Sequence, residues 1–276
     1  MSKITEKINY FKNLIGRDVT IFQMGKVGSR TIYDTLINEY DYEPTYFHVM
    51  DNGEFYHANM NDKYHKYLPK THKNVFHKWY HILNRVYIRS TYKNKTLKKK
   101  HKVITIVREP ISRNLSYFFQ DFKFYLYIYE KLESNVEEVS FEELFRYCYH
   151  KIQNQDFPLD YFDTQFKPIY DIDIYDYEFD KEKGYSVFTK DDLEVLVIRL
   201  DKLNGLSKEI GEFLNVDDYE LKNYNVGNHK WYKHLYDEVK TYNYDEEYLN
   251  QMYDHKFTKF FFTDEEIENF RSKYSI

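Results

Sequence analysis

Apolar residues recur along the chain in two alternating patterns. Residues 19–23 and 45–49 are short β-branched and aromatic runs, typical of strands. Residues 103–107 and 193–200 are nearly continuous apolar runs, as expected of strands that are buried on both faces. Helical spacing separates these runs. The alternation predicts an α/β protein with a mainly parallel sheet flanked by helices.

Helical patterns fill most of the remaining chain. Pro110 stands where a proline opens a helix, and Thr263 with Glu266 forms a capping box that starts a last helix. The stretch 172–188, rich in Tyr and Asp, is predicted to form short strands or loop. The other predicted helical regions are 29–37, 60–92, about 112–166 with a charged break near 133–140, 203–214 and the tail from 231. No repeat or linker divides the sequence, so we predict one domain over residues 1–276 with a helical C-terminal part.

The composition excludes several classes of protein. The 276 residues include 45 acidic and 40 basic side chains, for a net charge of −5, so nucleic acid and anionic membranes are not expected partners. The 42% hydrophobic and 20% aromatic content excludes disorder. Cys148 is the only cysteine, which excludes an internal disulfide or a cysteine-based zinc site. The first residues lack a signal-peptide core and no membrane span is visible, so we expect a cytoplasmic protein without an integral membrane segment.

The first motif that can carry chemistry follows the run at 19–23. Residues 25–31 read Gly-Lys-Val-Gly-Ser-Arg-Thr between a predicted strand and a predicted helix. Such a loop turns backbone N–H groups toward an anion, and Lys26, Ser29 and Thr31 supply further donors. The ATP-binding Walker pattern is disfavoured, because Lys26 precedes Gly28 and Ser29 without the upstream glycine. The alternative is an ordinary tight turn in which Ser29 caps the helix.

The second motif follows the run at 103–107. Arg108 stands at the predicted end of that strand, and Ser116 comes eight residues later in the following helix. A guanidinium group can fork onto a phosphate, and a serine two turns into the helix can point back at the same anion. The alternative is that Arg108 pairs with Glu109 or caps a neighbouring helix.

Together the two motifs resemble the sulfotransferase superfamily, whose donor is 3′-phosphoadenosine 5′-phosphosulfate (PAPS). The loop is similar to the family's 5′-phosphosulfate loop, usually Pro-Lys-Thr-Gly-Ser/Thr-Ser/Thr, and Arg108 with Ser116 resembles its pair for the 3′-phosphate. The sequence departs from that pattern at Gly25 and Arg30, which leaves Ser29 and Thr31 as the hydroxyl donors. The loop residues that the resemblance assigns to the donor are Gly25, Lys26, Val27, Gly28, Ser29, Arg30 and Thr31.

The resemblance implies a fold, a reaction and a substrate class. It implies a P-loop-like parallel sheet, transfer of a sulfonate group from PAPS to a carbohydrate hydroxyl with release of 3′-phosphoadenosine 5′-phosphate (PAP), and no required metal. Lys26 would neutralise the leaving oxygen. The segment 196–203 is similar to a late strand-to-helix segment of carbohydrate sulfotransferases, and the two motifs look most like bacterial members linked to capsular polysaccharide synthesis. Lys230, in the polar loop 225–230, would be a further phosphate contact.

The base that removes the acceptor proton has several candidates. His48 ends the second predicted strand, at the edge where an α/β sheet assembles its ligand site, and imidazole titrates near neutrality. The alternatives are Glu54 and His57, or a purely structural His48. The basic run 93–102 is interpreted as a solvated loop in preference to a glycan-binding patch. Two other functions stay open, an ATP-dependent kinase, disfavoured because Val27 follows Lys26, and a catalytically silent binding protein.

Overall fold

The computed structural model describes residues 18–48, 60–67, 101–133, 139–223, 232–240 and 242–275. Contacts between residues divide the chain into two compact units. The sheet unit contains the described residues of 1–48, 97–107 and 177–227, and the helical unit contains those of 49–96, 108–176 and 228–276. The proposal of a single domain stays a prediction. Most of the predicted helix 60–92, and most of the basic run 93–102, lie outside the described residues.

The sheet unit is built on five strands in the order β2-β1-β3-β5-β4. Neighbours β2 and β1, β1 and β3, and β3 and β5 are parallel, and β4 pairs antiparallel with β5. The mixed α/β class with a mostly parallel sheet is therefore confirmed. The strands are β1 (Val19–Phe22), β2 (Thr45–Phe47), β3 (His101–Val107), β4 (Tyr185–Lys190) and β5 (Leu193–Arg199).

The interior strands follow the apolar runs closely. Val103–Val107 is buried throughout, and β5 is buried except at Glu194, as the lack of polar alternation indicates. β4 is an edge strand, which explains why Val187 is 48% exposed. Asp191 adopts a left-handed φ of 52° in the turn between β4 and β5, and this tight connection makes the pair antiparallel.

Helices occur between the strands, and only helices follow β5 in the described residues. The helical C-terminal part is confirmed, and the capping box of Thr263 and Glu266 is present. In the described residues every helix is too short or too polar to cross a membrane. The α-helices are α1 (Arg30–Tyr40), α2 (Pro110–Gln120), α3 (Phe122–Leu132), α4 (Phe141–Tyr147), α5 (Phe157–Tyr161), α6 (Lys167–Tyr170), α7 (Ser207–Leu214), α8 (Lys233–Val239), α9 (Glu246–Tyr253), α10 (Lys256–Phe261) and α11 (Asp264–Tyr274).

Shorter helical turns complete the described secondary structure. Turns of 3₁₀-helix cover Asp62–Tyr67, Ile174–Asp176 and Leu203–Gly205. Turns of π-helix cover Cys148–Ile152 and Phe162–Phe166. The predicted helical region from about 112 to 166 has its charged break between Leu132 and Phe141, and it is also interrupted at 153–156, where non-helical backbone connects the first π-turn to α5.

Helix α2 begins at Pro110, which confirms the prediction that this proline opens a helix, and Glu109 caps it. The Glu109 carboxylate accepts hydrogen bonds from the backbone N–H groups of Ile111 and Ser112, at 2.8 and 2.7 Å. The buried Tyr253 hydroxyl donates to the same carboxylate at 2.8 Å. Glu109 is 8% exposed, so these donors compensate for its burial.

Candidate functional site

The loop that connects β1 to α1 has an unusual backbone. Lys26 and Gly28 adopt left-handed φ values of 73° and 78°, whereas Gly25, Val27 and Ser29 do not. Alternation of this kind turns successive N–H groups toward one side and forms the concave cradles that bind anions. A lysine in the left-handed region is strained, because its Cβ crowds the following carbonyl. The strain falls on the residue whose ammonium group the resemblance assigns to catalysis.

Packing beneath the loop holds this backbone in place. Val27 is fully buried. A Cβ on Gly28 would lie 2.4 Å from Cδ1 of Leu200, so a larger residue would have to displace that methyl group, and the φ of 78° also favours glycine. A Cβ on Gly25 would meet no atom within 4 Å, so the proline that is usual in the sulfotransferase loop meets no steric obstacle at its Cβ.

Ser29 does not cap the helix, although it occupies the N-cap position. Its side chain makes no capping hydrogen bond, and its Oγ lies 2.8 Å from the hydroxyl oxygen of Tyr46 in β2. The alternative interpretation of Ser29 as a helix cap is therefore wrong. Thr31 is buried in the first turn, and its N–H donates to the Gly28 carbonyl oxygen at 3.0 Å.

Arg30 lies on the outer surface of α1. Its guanidinium group forms an ion pair with Asp34 at 2.6 Å, and the carbon at its centre lies 4.8 Å from the centroid of the Tyr33 ring. The same group is 5.8 Å from the ring centroid of Tyr46. These contacts place a positive charge next to the Ser29–Tyr46 pair.

His48 is connected to β1 through Gln23. The Gln23 side chain is fully buried, and its Nε2 lies 2.8 Å from Nδ1 of His48. When the amide nitrogen donates to Nδ1, a neutral His48 ring carries its own proton on Nε2. A base at Nε2 requires the opposite amide orientation, in which Gln23 Oε1 accepts from Nδ1–H. In the described structure Gln23 Oε1 has no hydrogen-bond partner.

Tyr46 connects these groups and was not predicted from the sequence. Its ring packs edge-on against His48 with centroids 5.0 Å apart, and its hydroxyl meets Ser29. Burial raises the pKa of the Tyr46 phenol, against smaller lowering effects of Ser29 and Arg30. Tyr46 is therefore a neutral hydroxyl that can donate or accept a proton in a hydrogen bond. The carboxyl ends of β1 and β2 thus bring three polar side chains near the loop, those of Gln23, Tyr46 and His48.

In the helical unit, Arg108 stands just before α2, and Ser116 lies within that helix. From Glu109 to Phe119 all residues are buried except Ser112 and Ser116, and Arg108 before them is half-buried as well. The Arg108 Nε donates to Ser112 Oγ at 3.0 Å. The spacing of four residues places the guanidinium group and two hydroxyls on the accessible side of an otherwise buried segment. The sequence already contained a signal for Ser112, because this residue lies four positions from both Arg108 and Ser116.

Three of the predicted site residues lie outside the described residues. These are Lys230 as a phosphate contact, and Glu54 and His57 as alternatives to His48. Their assignments stay predictions. The roles assigned to the loop, to Arg108 and Ser116, and to His48 also stay predictions.

One of three comparisons with known proteins gave a match, and it covers part of the chain. Residues 140–263, less than half of the chain, match the sequence model of the NKWYS family, described as "Putative capsular polysaccharide synthesis protein". Comparison with curated proteins gave no significant match, and comparison with solved structures gave none. The match supports a relationship to a family concerned with capsular polysaccharide.

Proposed function

We propose that this chain is a sulfotransferase that moves a sulfonate group from PAPS to a hydroxyl of a capsular polysaccharide or its precursor. The observation that carries the proposal is the loop between β1 and α1, with its alternating φ values and the strained Lys26. The polysaccharide part of the proposal rests on the matched family description.

The loop supplies the kinds of donor that a 5′-phosphosulfate needs. Backbone N–H groups, the Lys26 ammonium group and the hydroxyls of Ser29 and Thr31 are all donors to anionic oxygen. A strained conformation that neighbouring packing maintains is typical of functional sites. Lys26 would place its charge at the bridging oxygen, where negative charge develops as the donor leaves.

The second anion of PAPS is assigned to Arg108 and Ser116. Arginine forms two parallel hydrogen bonds to a phosphate, and hydroxyls add single ones. Arg108, just before α2, lies in line with Ser112 and Ser116 on that helix, and this arrangement supports the assignment, because these polar groups are accessible on a segment that is otherwise buried. Ser112 is proposed to position the Arg108 guanidinium group, since its Oγ accepts from Arg108 Nε while its hydroxyl donates to the Glu109 carbonyl oxygen at 3.1 Å.

The reaction requires one nucleophile, one leaving group and one base. The acceptor hydroxyl oxygen forms a bond to sulfur as the bond from sulfur to the bridging phosphate oxygen breaks, and PAP leaves with that oxygen. The hydroxyl proton passes to the base, proposed as His48 Nε2. Gln23 is proposed as a positioning residue, because in the opposite amide orientation, with Oε1 accepting from Nδ1–H of His48, Nε2 of the ring is able to accept a proton.

Isothermal calorimetry with PAP and with ATP plus magnesium tests the proposal. We expect PAP to bind tightly and ATP weakly, because ATP lacks the 3′-phosphate. Arg108→Ala should lose PAP affinity, whereas Arg146→Ala, which removes an exposed guanidinium group near Glu142, should not. Tighter binding of ATP than of PAP would favour a kinase, and binding of neither nucleotide would contradict the proposal.

A further inference from the structure

A polar pocket lies within the helical unit and uses none of the residues assigned above. Its volume is about 300 Å³, at the lower end of the range for small-molecule sites. The 3₁₀ segment near Asn61, the residues from His150 to Asp156 and the start of α9 line it. His150 belongs to the π-turn Cys148–Ile152, and such turns are frequent at functional sites.

The floor of the pocket is a connected hydrogen-bond network. The Gln155 Oε1 accepts from Asn114 Nδ2 and from the Tyr248 hydroxyl, both at 2.9 Å. The Gln155 Nε2 donates to the Tyr149 carbonyl oxygen. Gln155 and Tyr248 are both buried. A satisfied buried network of this kind holds its side chains in one arrangement, as a preorganised binding site requires.

Gln153 gives the wall of the pocket an acceptor that lacks a donor. The side chain is 1% exposed, and its Nε2 donates to the Asn114 carbonyl oxygen at 3.0 Å. Among the described residues, Oε1 has no hydrogen-bond partner. Buried acceptors are normally paired, because leaving one unpaired is unfavourable. A hydroxyl donor from a ligand would satisfy it.

Carboxylates dominate the charge at the rim. Asp156 accepts from Gln251, Asp245 accepts from the N–H of Tyr248 at 2.8 Å, and Glu247 is exposed beside them. His150 is the basic lining residue, and burial lowers its pKa, so the ring is neutral near pH 7. An anionic ligand would therefore be repelled.

We propose that this pocket binds an uncharged sugar residue of the polysaccharide substrate. Side-chain amides donate and accept, carboxylates accept, and sugar hydroxyls do both, so the lining matches the ligand in hydrogen-bond chemistry. The biological identity of the sugar rests on the proposed function. A polysaccharide extends over many sugar units, so the proposal requires only that the pocket bind one of them.

Saturation-transfer NMR on the full chain tests the pocket with four probes. These are methyl β-glucoside, methyl β-galactoside, N-acetylglucosamine and methyl β-glucuronide. We expect transfer to at least one uncharged sugar and none to the glucuronide. Glu247→Gln should weaken binding about tenfold by loss of a charged hydrogen-bond acceptor. Glu246→Gln should change it less than about twofold, because Glu246 is also in the first turn of α9 but does not line the pocket.

Gln153→Leu gives an independent measurement on the wall of the pocket and should also weaken the sugar signal. If that variant fails to fold, the comparison of Glu247→Gln with Glu246→Gln decides, since both side chains are exposed. Binding of no uncharged probe, equal binding of the glucuronide, or equal effects of the two glutamate variants would overturn the assignment. PAP calorimetry on the same protein separates the two proposals. If the protein binds PAP but no uncharged sugar, the pocket assignment fails and the proposed function does not. If it binds the sugar but not PAP, the proposed function fails and the pocket assignment does not.

Discussion

Replacing Lys26 by glycine should separate catalysis from stability, because the two are expected to change in opposite directions. Lys26 has a φ of 73°. Relief of left-handed strain is worth about 1–2 kcal/mol, and glycine loses about 0.5–1 kcal/mol through the greater freedom of the unfolded chain. The net expectation for Lys26→Gly is a free energy of unfolding raised by up to about 1.5 kcal/mol. Urea unfolding measures it.

The same variant should lose sulfonate transfer by about 10²–10³, as removal of a charge donor from a transition state does. PAP binding should persist, since the backbone donors of the loop remain. Asp191→Gly is the matched control, because it relieves a left-handed residue in the β4–β5 turn and should leave transfer unchanged. Lys26→Gly with normal transfer would refute the leaving-group role, and a large loss of stability would refute the strain argument.

Three further predictions concern the remaining groups. Arg108→Ala should weaken PAP binding by about 2–4 kcal/mol in calorimetry, and an unchanged affinity would remove the 3′-phosphate assignment. His48→Ala should lower turnover by about 10²–10⁴ and abolish the acidic limb of the pH–rate profile, with PAP affinity preserved, and a surviving limb in the folded variant would point to another base. Burial lowers the pKa of His101 to about 4. Between about pH 6.5 and pH 4 the unfolded chain therefore binds more protons than the folded chain, so the free energy of unfolding should decrease as the pH is lowered through this range. His101→Gln should flatten that dependence in urea unfolding at pH 7 and pH 5, and an unchanged slope would contradict the assignment.

The sequence predicts well those elements whose determining residues are close together in the chain. β3 and β5 are apolar on both faces, and Thr263 with Glu266 contains a whole capping box within four residues. The pattern at 172–188 predicts strand or loop without distinguishing them, because the edge position of β4 exposes Val187 and gives a mixed pattern. The antiparallel pairing of β4 with β5 follows from the short turn at 191–192, in which Asp191 is left-handed.

The sequence predicts the loop of the candidate site, but it does not predict the contacts that the loop and His48 make with other side chains. Gly28 indicates a left-handed backbone from the residue type, whereas Lys26 gives no such signal, because its conformation follows from the packing of its neighbours. The contact of Ser29 with Tyr46 joins residues 17 positions apart, and no local pattern reports it. Gln23 carries a weak signal, a polar residue at the end of an apolar strand, which the assignment of His48 alone overlooked.

The central claim is sulfonate transfer, and transfer from sulfur-labelled PAPS to purified capsular polysaccharide tests it most directly. The wild-type protein should label the polysaccharide and release PAP in equal amounts. Lys26→Ala, confirmed as folded by its melting temperature and by PAP binding, should reduce labelling by about 10²–10³. Absence of label with the folded wild type across polysaccharides that carry free hydroxyls, or equal labelling by Lys26→Ala, would contradict the account.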